Sequence, residues 1–182
     1  MFRLLYTTVF ILLISNAKAG GCIFPNVSFS TTKVFLFNLE KPEKGERYYS
    51  YIYKDSSYAK KRHELPLYLT SDFHKKIQSI FKHGIDDLII GLSKCFLPRH
   101  GIVYYDDEGI PVASLSICFE CESIRVWSKE GYTFSYDYDN FDRKKAEKQM
   151  QQLEKVCAKT GMPIYRNTNP SPNYLEYLKN NP

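Results

Sequence analysis

Apolar and polar positions change their period several times along the chain, and each change marks an element. Val34 to Leu39 and Tyr48 to Tyr53 are dense in aromatic and β-branched residues, which suit a pleated surface, and Lys41-Pro-Glu-Lys-Gly45 between them has turn chemistry. They read as a strand pair. The period then becomes helical: Phe73, Ile77, Ile80 and Phe81 share one face, with Thr70 or Ser71 placed to cap and Gly84 to stop. Three more strands are expected at Gly101 to Tyr105, Pro111 to Phe119 and Tyr132 to Tyr138. In the last, Tyr132, Phe134, Tyr136 and Tyr138 alternate with smaller or polar residues, as in a half-buried strand. A second helix, capped by Asp139 or Asn140 and ended by Gly161, gathers Ala146, Met150, Leu153 and Cys157 on one stripe. The order β-β-α-β-β-β-α predicts an α+β domain, with a largely antiparallel sheet of about five strands and two amphipathic helices.

The N-terminal residues do not belong to that pattern. Arg3 supplies one positive charge, Leu4 to Ser15 is an uncharged and mainly apolar run, and Ala17 and Ala19 flank Lys18. This is the layout of a secretory signal peptide over residues 1–19, too short in its apolar part for the roughly 20 residues of a membrane span. The mature chain, 20–182, is the size of a single domain. A second cleavage reading makes Cys22 a lipidated N-terminus, because Ala19-Gly20-Gly21-Cys22 carries the small residues a lipoprotein peptidase takes. It lacks the usual Leu three residues before the cysteine, yet it leaves an even number of the chain's 5 cysteines. The expected location is periplasmic or secreted, with membrane contact only through the signal peptide or a lipid anchor at Cys22.

Charge narrows the partners. Loss of Arg3 and Lys18 lowers the formal charge from +5 to +3, too mild for a nucleic-acid binder, which concentrates its basic face. The one basic run, Lys60-Lys-Arg-His63, reads as a solvated loop. The aromatic stripe of Tyr132, Phe134, Tyr136 and Tyr138 reads as core packing.

Candidate chemistry collects in residues 94–122. An Asp106-Asp-Glu-Gly109 turn joins two strand-like runs into a hairpin whose paired residue numbers sum to about 215, bringing Cys95 opposite Cys118 to Cys121. In an oxidising compartment the three thiols favour a disulfide from Cys95 to Cys121 or Cys118. Strict alternation would point Cys118 and Cys121 to opposite faces, which disfavours a bond between them. A second reading gathers Cys95, His100, Cys118 and Cys121 into a Cys3His site for zinc or copper. A third uses Cys118-x-x-Cys121 as a thiol-disulfide oxidoreductase, although Cys118 ends a strand beside Glu120 and Glu122, which would oppose the thiolate. Arg99 and His100 form a polar pair able to bind a carboxylate or phosphate. The alternative is an internal ion pair from Arg99 to Asp106, Glu120 or Glu122. No Gly-x-Ser-x-Gly, His-Glu-x-x-His or phosphate-binding glycine loop occurs.

Cys95-Phe-Leu-Pro-Arg-His-Gly-Ile102 followed by Ile117-Cys-Phe-Glu-Cys121 resembles the motif of a family of small exported proteins and lipoproteins of bacteria, especially Bacteroidetes. The family carries no activity over to these residues, but the resemblance implies a bacterial envelope address. With no catalytic set and no cofactor required, the expected function is a non-enzymatic module of inhibitor or immunity type that binds another envelope or secreted protein.

Overall fold

The computed structural model describes residues 21–22, 27–39, 43–81, 96–131 and 142–166, together with 176, 179 and 180. In chain order the elements are β1 (Gly21–Cys22), β2 (Ser28–Phe29), β3 (Thr31–Phe37), β4 (Tyr53–Lys54), β5 (Ser57–Tyr58), β6 (Arg62–Leu65), α1 (Ser71–Ile80), β7 (His100–Tyr105), β8 (Pro111–Cys118), β9 (Ser123–Ser128) and α2 (Arg143–Lys159). The fold is α+β. Its centre is a five-stranded antiparallel sheet in the order β6-β3-β7-β8-β9.

Every residue of β7 is buried because both faces of this strand are covered. On one face Val34, Leu36, Ile102, Tyr104, Leu115, Ile117, Ile124 and Val126 pack with Phe73, Ile77, Ile80, Met150, Leu153 and Cys157 from the helices. Thr70 caps α1 by accepting the Phe73 N–H. Gln149 of α2, itself buried, donates to the Ile80 carbonyl 3.0 Å away and so ties the end of α1 to α2.

The second face is covered by the chain between β3 and β6. Phe35, Phe37, Val103 and Tyr105 pack with Ile52, Tyr53 and Ala59. Two serines of β8 anchor this cover: Ser116 Oγ accepts the Ile52 N–H (2.8 Å) and Ser114 donates to the Tyr53 carbonyl (2.6 Å). Gly101 makes the close approach possible, since a Cβ there would stand 2.5 Å from Ile52 Cβ.

Several expectations need correction. Val34 to Phe37 pair with β6 and β7, not with Tyr48 to Tyr53. Of that second run only Tyr53 is in a strand, because residues 48–52 cross over the sheet instead of joining it. Arg62 and His63, read as loop, form the edge strand β6, held by ladder bonds to β3 that charge patterning does not register. The last described strand, Ser123–Ser128, follows β8 through the turn at residues 119–122 and was not anticipated. The expected strand Tyr132 to Tyr138 and the stop at Gly84 lie outside the described residues. Asp142, not Asp139 or Asn140, caps α2 by accepting the Lys145 N–H.

Candidate functional site

The β7–β8 hairpin organises most of the residues singled out in the sequence. Its register pairs His100 with Ile117, Gly101 with Ser116 and Ile102 with Leu115, two residues beyond the expected sum. The turn is longer than a two-residue one: Asp106 N–H reaches Ile110 O, Asp106 Oδ1 accepts from Glu108 and Ile110 N–H, and Gly109 takes φ +77°. A shift of two keeps every side chain on its expected face. Ser114 and Ser116 therefore face the 52–53 segment while Leu115 and Ile117 face the helices.

Alternation stops at Cys118. Cys118 pairs with Ser123, and the turn between them holds Glu122 at φ 48°. Cys118 is buried, Cys121 is half-buried, and the Cys121 N–H donates to Cys118 Sγ at 3.4 Å. The turn thus ends the strict alternation of the strand and brings the Cys121 backbone back to the Cys118 thiol. The segment is a strand-to-strand turn and offers no helix N-terminus to stabilise a thiolate. Cys95 lies outside the described residues, as do the side chain of Cys22 and residues 1–20. Among the described residues no cysteines are bonded to one another, and no three His, Cys, Asp or Glu side chains gather into a metal site. Cys157 faces the core, and burial raises its thiol well above the ordinary range.

Arg99 and His100 diverge, as consecutive residues entering a strand must. His100 is fully buried on the helix face against Phe119, its ring centroid 4.9 Å away. Its Nε2 accepts the Tyr165 N–H at 3.1 Å and lies 3.0 Å from Pro163 O. Burial lowers its pKa to about 4; the Pro163 and Ile117 carbonyls oppose that shift and the Arg99 charge adds to it. His100 is therefore neutral at pH 7. Arg99 is nine-tenths buried, with its Cζ 4.9 Å from the Tyr165 ring and 5.7 Å from the Tyr48 ring. No described carboxylate pairs with it, so the expected internal salt bridge to Asp106, Glu120 or Glu122 is not made.

A second feature lies at the opposite end of β7. An open cleft of about 590 Å3 is lined by Thr31, Lys33, Phe35, Tyr58, Arg62, Glu64, Tyr105 and Gly109. Lys33 and Glu64 pair across its rim at 3.0 Å. Arg62 stacks its guanidinium 4.4 Å from the Tyr58 ring while donating to Ala59 O. The hydroxyls of Tyr58 and Tyr105 meet at 2.6 Å, and burial raises both pKa values, so both keep their protons at neutral pH. One proton is used between them and the other remains to be donated. Donors thus outnumber acceptors on an aromatic floor. Sequence patterning places Tyr105 on a strand, says nothing of Tyr58 and reads Arg62 as loop; the β3–β6 register, which puts Arg62 beside Phe37 and Glu64 beside Phe35, reveals the site.

No family model, curated protein or solved structure matches the chain.

Proposed function

We propose that this protein is an exported, non-enzymatic binding module of the bacterial envelope, of inhibitor or immunity type, that engages another envelope or secreted protein. The observation that carries the reading is the cleft floored by Phe35 and Tyr105 and walled by Lys33, Tyr58 and Arg62. Tyrosine and arginine are the residues that most often dominate protein interfaces, since they bring large contact area and directional donors at low entropic cost. The donor excess suits an acceptor-rich segment, a carboxylate side chain or exposed carbonyls, on the partner. The signal-like residues 1–19 and the resemblance of residues 94–122 to exported bacterial proteins support the address.

The test uses two charge reversals on the exposed rim, Lys33→Glu and Arg62→Glu, in tagged protein recovered from envelope and secreted fractions. Stoichiometric recovery of one protein by the native chain, lost in either variant while the melting temperature changes by only a few degrees, is expected. Recovery that is indifferent to both reversals rejects the cleft. Stoichiometric zinc or copper in protein purified without added metal replaces this reading with the metal site.

A further inference from the structure

At the other end of β7 a charged side chain is buried with no carboxylate paired to it among the described residues. The root of Arg99 is fixed in the sheet: its N–H donates to Ile117 O at 3.1 Å and its carbonyl accepts the Phe37 N–H at 3.0 Å. The Arg99 residue is 9% exposed, and neither Nε nor Nη1 has a hydrogen-bond partner. Buried donors are nearly always paired, and a buried cation with open donors is costlier than a neutral group in the same state.

The backbone next to or at each of the flanking tyrosines is tethered. Asn38, in the left-handed region at φ 55°, donates to Tyr49 O (2.7 Å) and Pro98 O (3.0 Å) and accepts the Tyr49 N–H (3.0 Å). That clamp joins the chain next to Tyr48 to the chain next to Arg99. On the other side His100 holds Tyr165 through its backbone N–H. Aromatic rings engage the faces of a guanidinium and leave its N–H groups, which lie in its plane, for an acceptor. A tethered backbone behind each tyrosine, a fixed root and the open Nε and Nη1 donors together favour an anion at this place.

We propose that Arg99, flanked by Tyr48 and Tyr165, binds a carboxylate. A planar carboxylate matches the guanidinium fork, and a single cation favours a monoanion over a phosphate dianion. Arg166, which follows Tyr165 in the chain, is already paired with Glu154. His100 acts as a positioning residue for Tyr165 and not as a ligand. The carboxylate can come from a small molecule or from the C-terminus of a peptide.

The test titrates acetate against chloride at equal ionic strength into the full chain. A second arm adds N-acetyl-diglycine and its amide. A carboxylate held with a Kd of about 10 mM raises the melting temperature by roughly 3–5 °C at about 100 mM. Arg99→Met removes the charge and keeps apolar bulk, and should abolish that rise. In the native chain the Arg99 Nε–H resonance should move on titration, a readout that stands even if the variant fails to fold. A response to acetate assigns a small-molecule site, and a response to the peptide acid alone assigns a peptide C-terminus. No rise and no resonance shift with either probe, or a rise equal in Arg99→Met or with the amide, overturns the proposal.

Discussion

Acidification from pH 7 to pH 4 should unfasten the segment after α2 from the sheet, because His100 must stay neutral to hold it. In the neutral ring Nε2 accepts the Tyr165 N–H at 3.1 Å, with Pro163 O 3.0 Å from the same nitrogen. Protonating Nε2 removes the acceptor and leaves a second buried cation beside Arg99. The folded-state pKa is about 4, against roughly 6.5 in the unfolded chain. The sign follows from that order. Above about 6.5 neither state binds the proton and the full stability is present. Between 6.5 and 4 only the unfolded state binds it, so stability falls as pH falls. Below 4 both states are protonated and the loss from this group levels off. A depression of this size corresponds to about 3 kcal/mol in all, a large part of the 5–15 kcal/mol typical of a domain.

Urea unfolding at pH 7, 6, 5 and 4 measures it, followed by circular dichroism and by the fluorescence of the single tryptophan, Trp127. With a urea m-value of about 2 kcal/mol/M, the midpoint should drop by roughly 1.5 M across the window. His100→Gln keeps an acceptor for the Tyr165 N–H but cannot titrate, so its midpoint should be lower at pH 7 and much flatter below. His74, whose pKa burial also lowers, adds a smaller slope of the same sign, and His74→Gln measures that part. Parallel curves for the native chain and His100→Gln between pH 6.5 and 4 would refute the reasoning.

Three further outcomes are expected. Gly101→Ala places a Cβ 2.5 Å from Ile52 Cβ and under 3 Å from both of its γ carbons, so it should cost about 2 kcal/mol or more in urea unfolding; Ile52→Gly in the same chain should relieve the clash, and Ile52→Ala should not. Tyr104→Phe removes a fully buried hydroxyl that has no partner; thermal unfolding should show no loss and up to about 1 kcal/mol of gain, and a loss of 2 kcal/mol would mean the hydroxyl is bonded. Non-reducing peptide mapping should find Cys95 joined to Cys121, the bond contributing roughly 3–4 kcal/mol for a loop of about 26 residues, since the Arg99 N–H bond to Ile117 O runs the chain after Cys95 alongside the strand that ends at Cys118; free thiols at both positions would remove the staple.

Local pattern was enough for elements whose neighbours in space are also neighbours in sequence. The faces of both helices, the cap at Thr70 and the β7–β8 hairpin were legible because period and turn chemistry set them within a dozen residues. The hairpin register was off by two because Asp106 turns its side chain back onto Glu108 and Ile110 N–H and widens the loop, a detail Asp-Asp-Glu-Gly does not specify. Tyr48 to Tyr53 failed for a different reason. Strand-like composition records that a segment meets a pleated surface, and this one meets it by lying across the face, where Ser114 and Ser116 take the backbone bonds a neighbouring strand would have taken.

The same distinction governs the candidate sites. Arg99 and His100 stand out as a pair, yet strand geometry sends them to different surroundings and gives them different work: one is a cation between tyrosines with no carboxylate partner among the described residues, the other a neutral clamp on the chain that supplies one of those tyrosines. The cleft was not legible, because Lys33, Tyr58, Arg62, Glu64 and Tyr105 come from three strands and a hairpin and only the order β6-β3-β7 assembles them. Both sites use arginine against tyrosine, and they sit at opposite ends of one strand whose every side chain is packed. A rigid β7 holds each of them in place without requiring either to move when the other is filled. Binding at Arg99 and binding at the cleft should therefore be additive, and Arg62→Glu should leave the acetate response of Arg99 unchanged.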